Sequence, residues 1–437
     1  MCEWKKVKIG DFLTEREGRY KPDDSKISKY KRLDKIDFSG TIHISDKPTK
    51  TDMIIVHPGD LIISGINVAK GAVAVYQGDE PVCATIHYSS YTFDSSKVDL
   101  DYFKYFVKSP VFIAALQKQV KGGIKTEIKP KHLLPLEISI PDLKTQQEIV
   151  KKVSLQLLRT ELLSLEIESQ KKYIKQLRQN ILQEAIEGKL TADWRKQNPV
   201  QKGNPDYDAE ALFEQIQKER NNEKKQKELS PITDEEKTFE IPNGWKWVRL
   251  GEICKKLTDG SHNPPPNTGK GFPVISAMNI KNGEITFDKV ARYTDEKGFE
   301  KENNRTNITR GDLIMGIIGA SIGNIAIYNH DEKVIAQRSI AIIDSYLNNS
   351  YIEVILNSIY IQTQLQEKTF GSAQGGVYLG KISNLQVPLS PLNEQSEIVI
   401  QVENYLNKIN VMEKQIVERE YITKQLMQSI LKDSFEE

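Results

Sequence analysis

An internal duplication constrains this chain more than any other feature, because a sequence that repeats its signature words in order must build the same architecture twice. Trp4-Lys5-Lys6-Val7-Lys8-Ile9-Gly10-Asp11 returns as Trp245-Lys246-Trp247-Val248-Arg249-Leu250-Gly251-Glu252. Gly59-Asp60-Leu61-Ile62, followed by Gly71, Ala74 and Tyr76, returns as Gly311-Asp312-Leu313-Ile314, followed by Gly323, Ala326 and Tyr328. Gly122-Gly123-Ile124 matches Gly375-Gly376-Val377, and Leu143, Gln146, Glu148, Ile149 and Val150 match Leu392, Gln395, Glu397, Ile398 and Val399. Gln176-Leu177 with Gln179, Ile181 and Leu182 matches Gln425-Leu426 with Gln428, Ile430 and Leu431. Chance likeness of short apolar words would not keep one order.

The offset between copies is 241 at the Trp block, 252 to 253 at the Gly blocks and 249 along the last stretch. Loops therefore vary while the last stretch keeps register, so each copy is expected to be a globular unit followed by a long helix. The expected division is a globular domain at 1–142, a long helix at 143–190, a polar linker with a short helix at 191–243, a second globular domain at 244–391 and a second long helix at 392–437. A chain of 437 residues exceeds what one ordinary core organises.

Within the globular parts, the β-branched runs Met53-Ile54-Ile55-Val56 and Ala72-Val73-Ala74-Val75-Tyr76, broken by Pro58-Gly59 and Gly71, predict strands and turns. Residues 101–120 and 351–367 have helical apolar spacing instead. The expected class is α+β. Residues 313–328 form an apolar run, but it is short for a membrane span and holds Gly316, Gly319 and Gly323, so two buried strands joined by a Gly turn are expected.

The second long stretch places Val402, Tyr405, Ile409, Met412, Ile416, Leu426 and Ile430 on a heptad-like seam, with Arg419 and Thr423 as breaks. The first places Val153, Leu163, Ile167, Ile174, Leu177 and Ile181 in register with it, with Gln156, Thr160 and Gln170 as breaks. Two register-matched seams in one chain most simply pair with each other. Either relative direction is open, because the intervening linker can span both. That linker turns polar around Pro199, Pro205 and Pro231, and its helical stretch at 209–228 is expected to lie exposed.

With 61 Lys and Arg against 60 Asp and Glu, the chain is not a uniformly basic binder. The balance tilts locally, with 22 against 18 over residues 1–140 and 16 against 14 over 241–391. Either folding concentrates a basic face or partner subunits supply much of any non-specific DNA affinity. Cys2, Cys83 and Cys254 show no paired spacing, as for reduced thiols in a cytoplasmic protein, and Glu3, Lys5, Lys6 and Lys8 interrupt any export leader.

A bipartite DNA sequence presents two short readable edges separated by unread base pairs, and two related domains at fixed spacing match that problem. The copies agree in scaffold words and differ in loops, as two readers of different half-sites would. The twin Trp-x-x-Val-x-Ile/Leu-Gly openings, the Gly-Asp-Leu-Ile blocks, Pro391-Leu392-Asn393-Glu394-Gln395-Ser396-Glu397-Ile398 and the helix end Leu177-Arg178-Gln179-Asn180-Ile181-Leu182-Gln183-Glu184-Ala185-Ile186-Glu187-Gly188-Lys189-Leu190-Thr191 together resemble the specificity subunits of type I restriction-modification systems over essentially the whole chain. One departure is Lys144-Thr145-Gln146, which lacks the Glu found before Gln395.

The resemblance implies two target-recognition domains at opposite ends of an antiparallel intramolecular coiled coil, reading double-stranded DNA. It also implies two modification subunits that bind S-adenosylmethionine and methylate adenine N6, and two restriction subunits that hydrolyse ATP, with Mg in those partners. No cofactor and no catalytic residue is expected in this chain. A coiled-coil scaffold bridging two proteins without reading DNA is the other class of function, and a recognition subunit of a fused or silent system is a third.

Candidate DNA contacts follow from residue chemistry. Arg16, Arg19, Tyr20 and Lys21 form a basic and aromatic cluster in a polar loop, and Lys70, Lys125, Lys129 and Lys131 lie at or beside Gly turns. In the second copy Asp259, Ser261 and His262 share a Gly/Pro loop. Arg338 suits a guanine edge and Gln337 an adenine edge. Ser372, Gln374 and Tyr378 flank Gly375-Gly376. A solvated loop or a structural turn is the competing role for each. Asn263-Pro264-Pro265-Pro266 lacks the aromatic ring that an amino-methyltransferase stacks on an extruded base, and Pro141-Asp142 and Glu187-Gly188-Lys189 lie too far apart on one helix to share a metal. The six histidines form no metal pattern.

Overall fold

The computed structural model describes residues 4–38, 40–67, 72–119, 128–223, 229–288, 290–369 and 375–435. Two compact units emerge, Met1–Gln170 with Ile416–Glu437, and Lys171–Gln415. Each contains one globular copy, the start of the long helix that follows that copy, and the end of the other long helix.

The first unit runs β1 (Lys5–Lys8), β2 (Leu13–Glu15), β3 (Arg32–Ile36), β4 (Ile42–Ser45), β5 (Met53–Val56), β6 (Leu61–Ser64), β7 (Val73–Val75), β8 (Val82–Thr85), β9 (Tyr88–Phe93), α1 (Leu100–Phe106), α2 (Pro110–Gln119), α3 (Pro130–Leu133), β10 (Glu137–Ile140) and the start of α4 (Leu143–Ile186). The antiparallel sheet β2-β9-β6-β7 is the middle layer. Strand alternation buries both its faces: Leu61 and Ile63 pack with Tyr102, Phe103, Phe106 and Phe112, while Ile62 packs with Val82 and Ala84 of the second sheet, β4-β3-β8-β5.

After α5 (Ala192–Gln197) and α6 (Ala209–Glu223), the second unit continues with β11 (Lys246–Arg249), β12 (Cys254–Asp259), β13 (Phe272–Ile275), β14 (Ile280–Lys281), β15 (Glu284–Ile285), β16 (Tyr293–Thr294), α7 (Glu296–Thr306), β17 (Leu313–Gly316), β18 (Ile325–Ile327), β19 (Ile335–Ala336), β20 (Ile340–Ser345), α8 (Asn349–Leu356), α9 (Ile359–Glu367), α10 (Leu379–Ser383), β21 (Gln386–Leu389) and α11 (Leu392–Phe435). Its topology repeats the first: β1-β10 corresponds to β11-β21, β2-β9-β6-β7 to β12-β20-β17-β18, and the parallel pair β3-β8 to β13-β19. The apolar run at 313–328 is the strand pair β17-β18, as expected.

The helical spacing at 101–120 and at 351–367 is in each case carried by two short helices, α1 with α2 and α8 with α9. Ser109 and Ser358 end the first helical segments, and their hydroxyls accept from Phe112 N and Ile361 N to cap the second. Apolar spacing carries through such a break, so periodicity alone does not reveal it.

The long helices are α4 and α11, 44 residues each. In both units they run antiparallel. Gln170 meets Arg419 and Val153 lies near Ile430 in the first unit, while Arg178 meets Asn410 and Glu413 in the second. The buried line is narrower than the expected seam: Val153, Thr160, Ile167 and Ile181 on α4, and Val402, Ile409, Ile416, Thr423 and Ile430 on α11. Thr160 and Thr423 are members of that line, not breaks, because each hydroxyl donates back to its own helix. Leu163, Leu177, Tyr405, Met412 and Leu426 are exposed instead, since two helices alone offer each other only one face.

The linker helix corrects another expectation. Ala209, Leu212 and Ile216 of α6 are buried against Trp245, Val248 and Ile253, and Gln217 donates to the Glu252 carbonyl. The charge around this short apolar stripe masked it in the sequence. Glu394 completes the attachment. Its buried carboxylate accepts from Trp245 Nε1 at 2.7 Å, Thr191 Oγ1 at 2.6 Å and the Arg195 guanidinium. The first copy has Thr145 at that place, which bonds Asp142 at its own helix start.

Candidate nucleic-acid interface

The repeated Gly-Asp word is a brace. Gly59 and Gly311 hold left-handed backbone, φ 86° and 97°, which favours Gly, and they aim the following carboxylate inward. Asp60 accepts from Arg16 Nε at 2.7 Å, Ser90 Oγ at 2.7 Å and His57 N at 3.0 Å. Asp312 accepts from Lys256 Nζ at 2.6 Å and Thr309 N at 2.7 Å. Both carboxylates are 2% exposed, so each cation neutralises a charge that would be costly to bury alone. Arg16 is therefore engaged within the fold.

Around these braces the loops at the strand ends join into a strip. In the second unit Ser261 N donates to Ala336 O and Arg338 N to Ser261 O, Gln337 N donates to Ile275 O, Ala277 N to Ser339 Oγ, Ile317 N to Ser339 O, and Val377 N to Ile317 O. In the first unit Gly65 N donates to His87 O and Ile128 N to Gly65 O, both at 2.8 Å. Gly65 thus corresponds to Ile317 and His87 to Ser339, and by its backbone bond Ile128, rather than the Ile124 that the repeated glycines align, takes the place of Val377. The next residues, Lys129 and Tyr378, both stand at the N-caps of the short helices α3 and α10. One backbone frame carries different side chains in its two versions.

The strip gathers several of the expected residues. Arg338 is exposed and makes no ion pair among the described residues, while Gln337 beside it is half-buried. Tyr378 is 64% exposed. His262 is exposed and its Nε2 lies 2.7 Å from Asp259 Oδ2. Asp259 also holds the Arg305 guanidinium at 3.2 Å, and that guanidinium donates to the carbonyls of Asp259 and Gly260. Ser261 is 2% exposed and positions the turn rather than presenting its hydroxyl. Gly260 is needed here because a Cβ would run into the Ala336 and Gln337 carbonyls.

In the first unit Tyr20 is half-buried and pairs by backbone with Met53, while Arg19 and Lys21 on either side both reach Asp52, at 3.1 and 3.0 Å. Lys129 and Lys131 are exposed at the start of α3. Lys70, Lys125, Ser372 and Gln374 lie outside the described residues. His87, Ser339 and Arg305 were not singled out in the sequence. The first two are related by the same 252-residue offset as Gly59 and Gly311, which was the available signal.

The family model described as the type I restriction modification DNA specificity domain matches residues 1–173 and again 242–419. The chain belongs to this family. Both matches contain one brace and one strip, so the duplicated specificity domain is the unit that the repeated words encode. Among curated relatives, the type I restriction enzyme EcoAI specificity subunit of Escherichia coli is 27% identical over 54% of this chain and 40% of its own length. The EcoKI specificity subunit of Escherichia coli K12 is 24% identical over 76% of this chain and 64% of its own. The chain thus spans less than two thirds of the length of these relatives. A chain solved in work on complex assembly and conformational transition of the type I R-M system shares the fold, with TM-score 0.67 at 16% identity over 99% of this chain and 97% of that one.

Proposed function

We propose that this chain is the DNA-sequence recognition subunit of a type I restriction-modification complex, reading a bipartite target with one half-site per specificity domain. The supporting observation is the duplicated strip, in which identical backbone bonds present His87 and Lys129 in one copy and Ser339 and Tyr378 in the other. A conserved frame with exchanged tips is what two readers of different sequences require. A scaffold that holds two protein partners has no use for that combination.

In this reading residues 1–142 and 244–391 are the target-recognition domains, 143–190 and 392–437 the spacer helices, and 191–243 the linker. Arg338 forks onto a guanine edge, Gln337 pairs with adenine, and Arg19, Lys21, Lys129 and Lys131 contact phosphate or base edges. Arg16, Asp259 and Ser261 hold the reading loops in place. The chain performs no chemistry. Modification subunits carrying S-adenosylmethionine, and restriction subunits using ATP and Mg, dock on it, two of each. The second apolar line of the long helices, including Leu158, Leu162, Leu165, Val417, Tyr421 and Ile422, is exposed and supplies the docking face. Among the described residues no helix is long and apolar enough to cross a membrane, and the place of action is the cytoplasm, where the DNA is.

Long-read methylation mapping of cells expressing the chain with its modification subunit tests this. A bipartite adenine-methylation motif is expected, and exchange of residues 1–140 should alter one half of it and leave the other unchanged. Absence of any sequence motif would favour the scaffold.

A further inference from the structure

Met278 is 69% exposed, the most exposed large apolar side chain among the described residues. It does not sit on a loose loop. It is the middle residue of a 3-10 turn, Ala277–Asn279, whose other two members are buried. Asn279 braces that turn on both sides: its Oδ1 accepts from Ser276 N at 2.9 Å and its Nδ2 donates to Thr286 O at 3.0 Å. Ala277 N donates to Ser339 Oγ at 3.1 Å, and Ile275 O accepts from Gln337 N at 2.8 Å. The turn is therefore fastened to the Gln337-Arg338-Ser339 turn, which holds the candidate base-reading pair, and it carries the exposed Met278. Holding a large apolar side chain in water on a rigid support gains nothing for the isolated fold.

The first copy also carries an exposed apolar residue after the matching strand. After β3, which corresponds to β13, the turn is braced by Asp37, whose N donates to Thr41 O and whose Oδ1 accepts from Thr41 N. It carries Phe38, 57% exposed. Two copies that share little outside their scaffold words thus both raise an apolar side chain on a braced turn after the same strand.

We infer that Met278 is a specificity-determining residue that reads the C5-methyl group of a thymine in the half-site bound by the second specificity domain, with Phe38 its counterpart in the first. This rests on the DNA-recognition reading above. The thymine methyl is the apolar feature of the major-groove edge, where arginine and glutamine read guanine and adenine. A flexible thioether suits it because Met adapts its rotamer to a methyl group at little strain.

The test uses the full chain in complex with its modification subunit. Met278→Ala is compared with wild type by methylation mapping, and Met278→Leu serves as the variant that keeps apolar bulk; unchanged thermal melting shows that both fold. The expected result is that M278A relaxes one A·T position of one half-site and leaves the other half intact, while M278L keeps it. Duplexes with uracil in place of thymine, which lack only the methyl group, are then titrated. Wild type should lose about fourfold in affinity at that one position, and M278A should lose nothing there. If M278A methylates the wild-type motif, or if uracil costs both proteins equally at every position, the inference falls while DNA recognition stands. If wild type methylates with no sequence motif at all, the recognition reading falls and carries this inference with it.

Discussion

Glu353 and Glu236 show how one side-chain type is driven in opposite directions by its surroundings. Glu353 lies on α8 among buried apolar neighbours in sequence, and burial pushes its carboxyl up to about 7. Glu236 faces Arg249 through two bonds, at 2.9 and 2.8 Å, and that guanidinium, helped by Thr233 N and Gln386, brings its carboxyl down to about 2. The stability contributions have opposite signs. For Glu353 the folded state holds the proton more tightly than the unfolded chain. Its contribution is complete below the ordinary value of 4.5, shrinks as pH rises towards 7, and is gone above it. For Glu236 the contribution is complete above 4.5 and is lost as pH falls towards 2. Glu353→Gln is therefore expected to raise stability at pH 8 by up to about 3 kcal/mol and to change little at pH 4. Urea unfolding at the two pH values checks this. Neither behaviour was legible in the sequence, because a glutamate in a helical stretch carries no mark of what folds over it.

At the scale of elements, asymmetry between the copies is concentrated in what the linker does. Trp247 stands where the first copy has Lys6, and it packs with Phe239 of the linker and Tyr360 of α9 at ring distances of 4.9 and 5.7 Å. Arg249 donates to the carbonyls of Ser230 and Pro231, and Glu394 gathers Trp245, Thr191 and Arg195. The missing glutamate in the first copy is thus the trace of an attachment made only in the second unit. Ile216, 2% exposed on α6, is one of the buried apolar residues of that attachment. Ile216→Ala should cost about 2–5 kcal/mol, measurable as a lowered denaturation midpoint. Were α6 a free linker helix, the same substitution would change almost nothing.

At the scale of the whole molecule, the register shared by the two long helices extends to their ends. Ile181, Leu182 and Ile186 at the end of α4 are buried in the second unit's core, and Ile430, Leu431 and Phe435 at the end of α11 occupy the matching places in the first. Phe435 makes edge contacts with Tyr102 and Phe106 at 5.1 and 5.6 Å. In the proposed function these helices set the length of the unread spacer. Inserting one heptad after Gln170 and one after Arg419 adds about 10 Å of helix to each. The expected outcome is a methylation motif with about three more unread base pairs and both half-sites unchanged. A motif of unaltered spacing would show that the helices do not act as the ruler.

The sequence by itself determined the duplication, the α+β class, the order of the parts, the strand pair at 313–328 and the register of the long helices, because scaffold words and heptad spacing are local and repeat. Tertiary structure alone decided which cations find a carboxylate within the fold. Arg16 reads in sequence like a DNA contact, yet Asp60, 44 residues away, claims it. It also decided that a single line of each helix is buried and that α6 is packed rather than exposed. Partners for a charge or an apolar stripe come from elsewhere in the chain, and periodicity records only that a face exists, never what covers it.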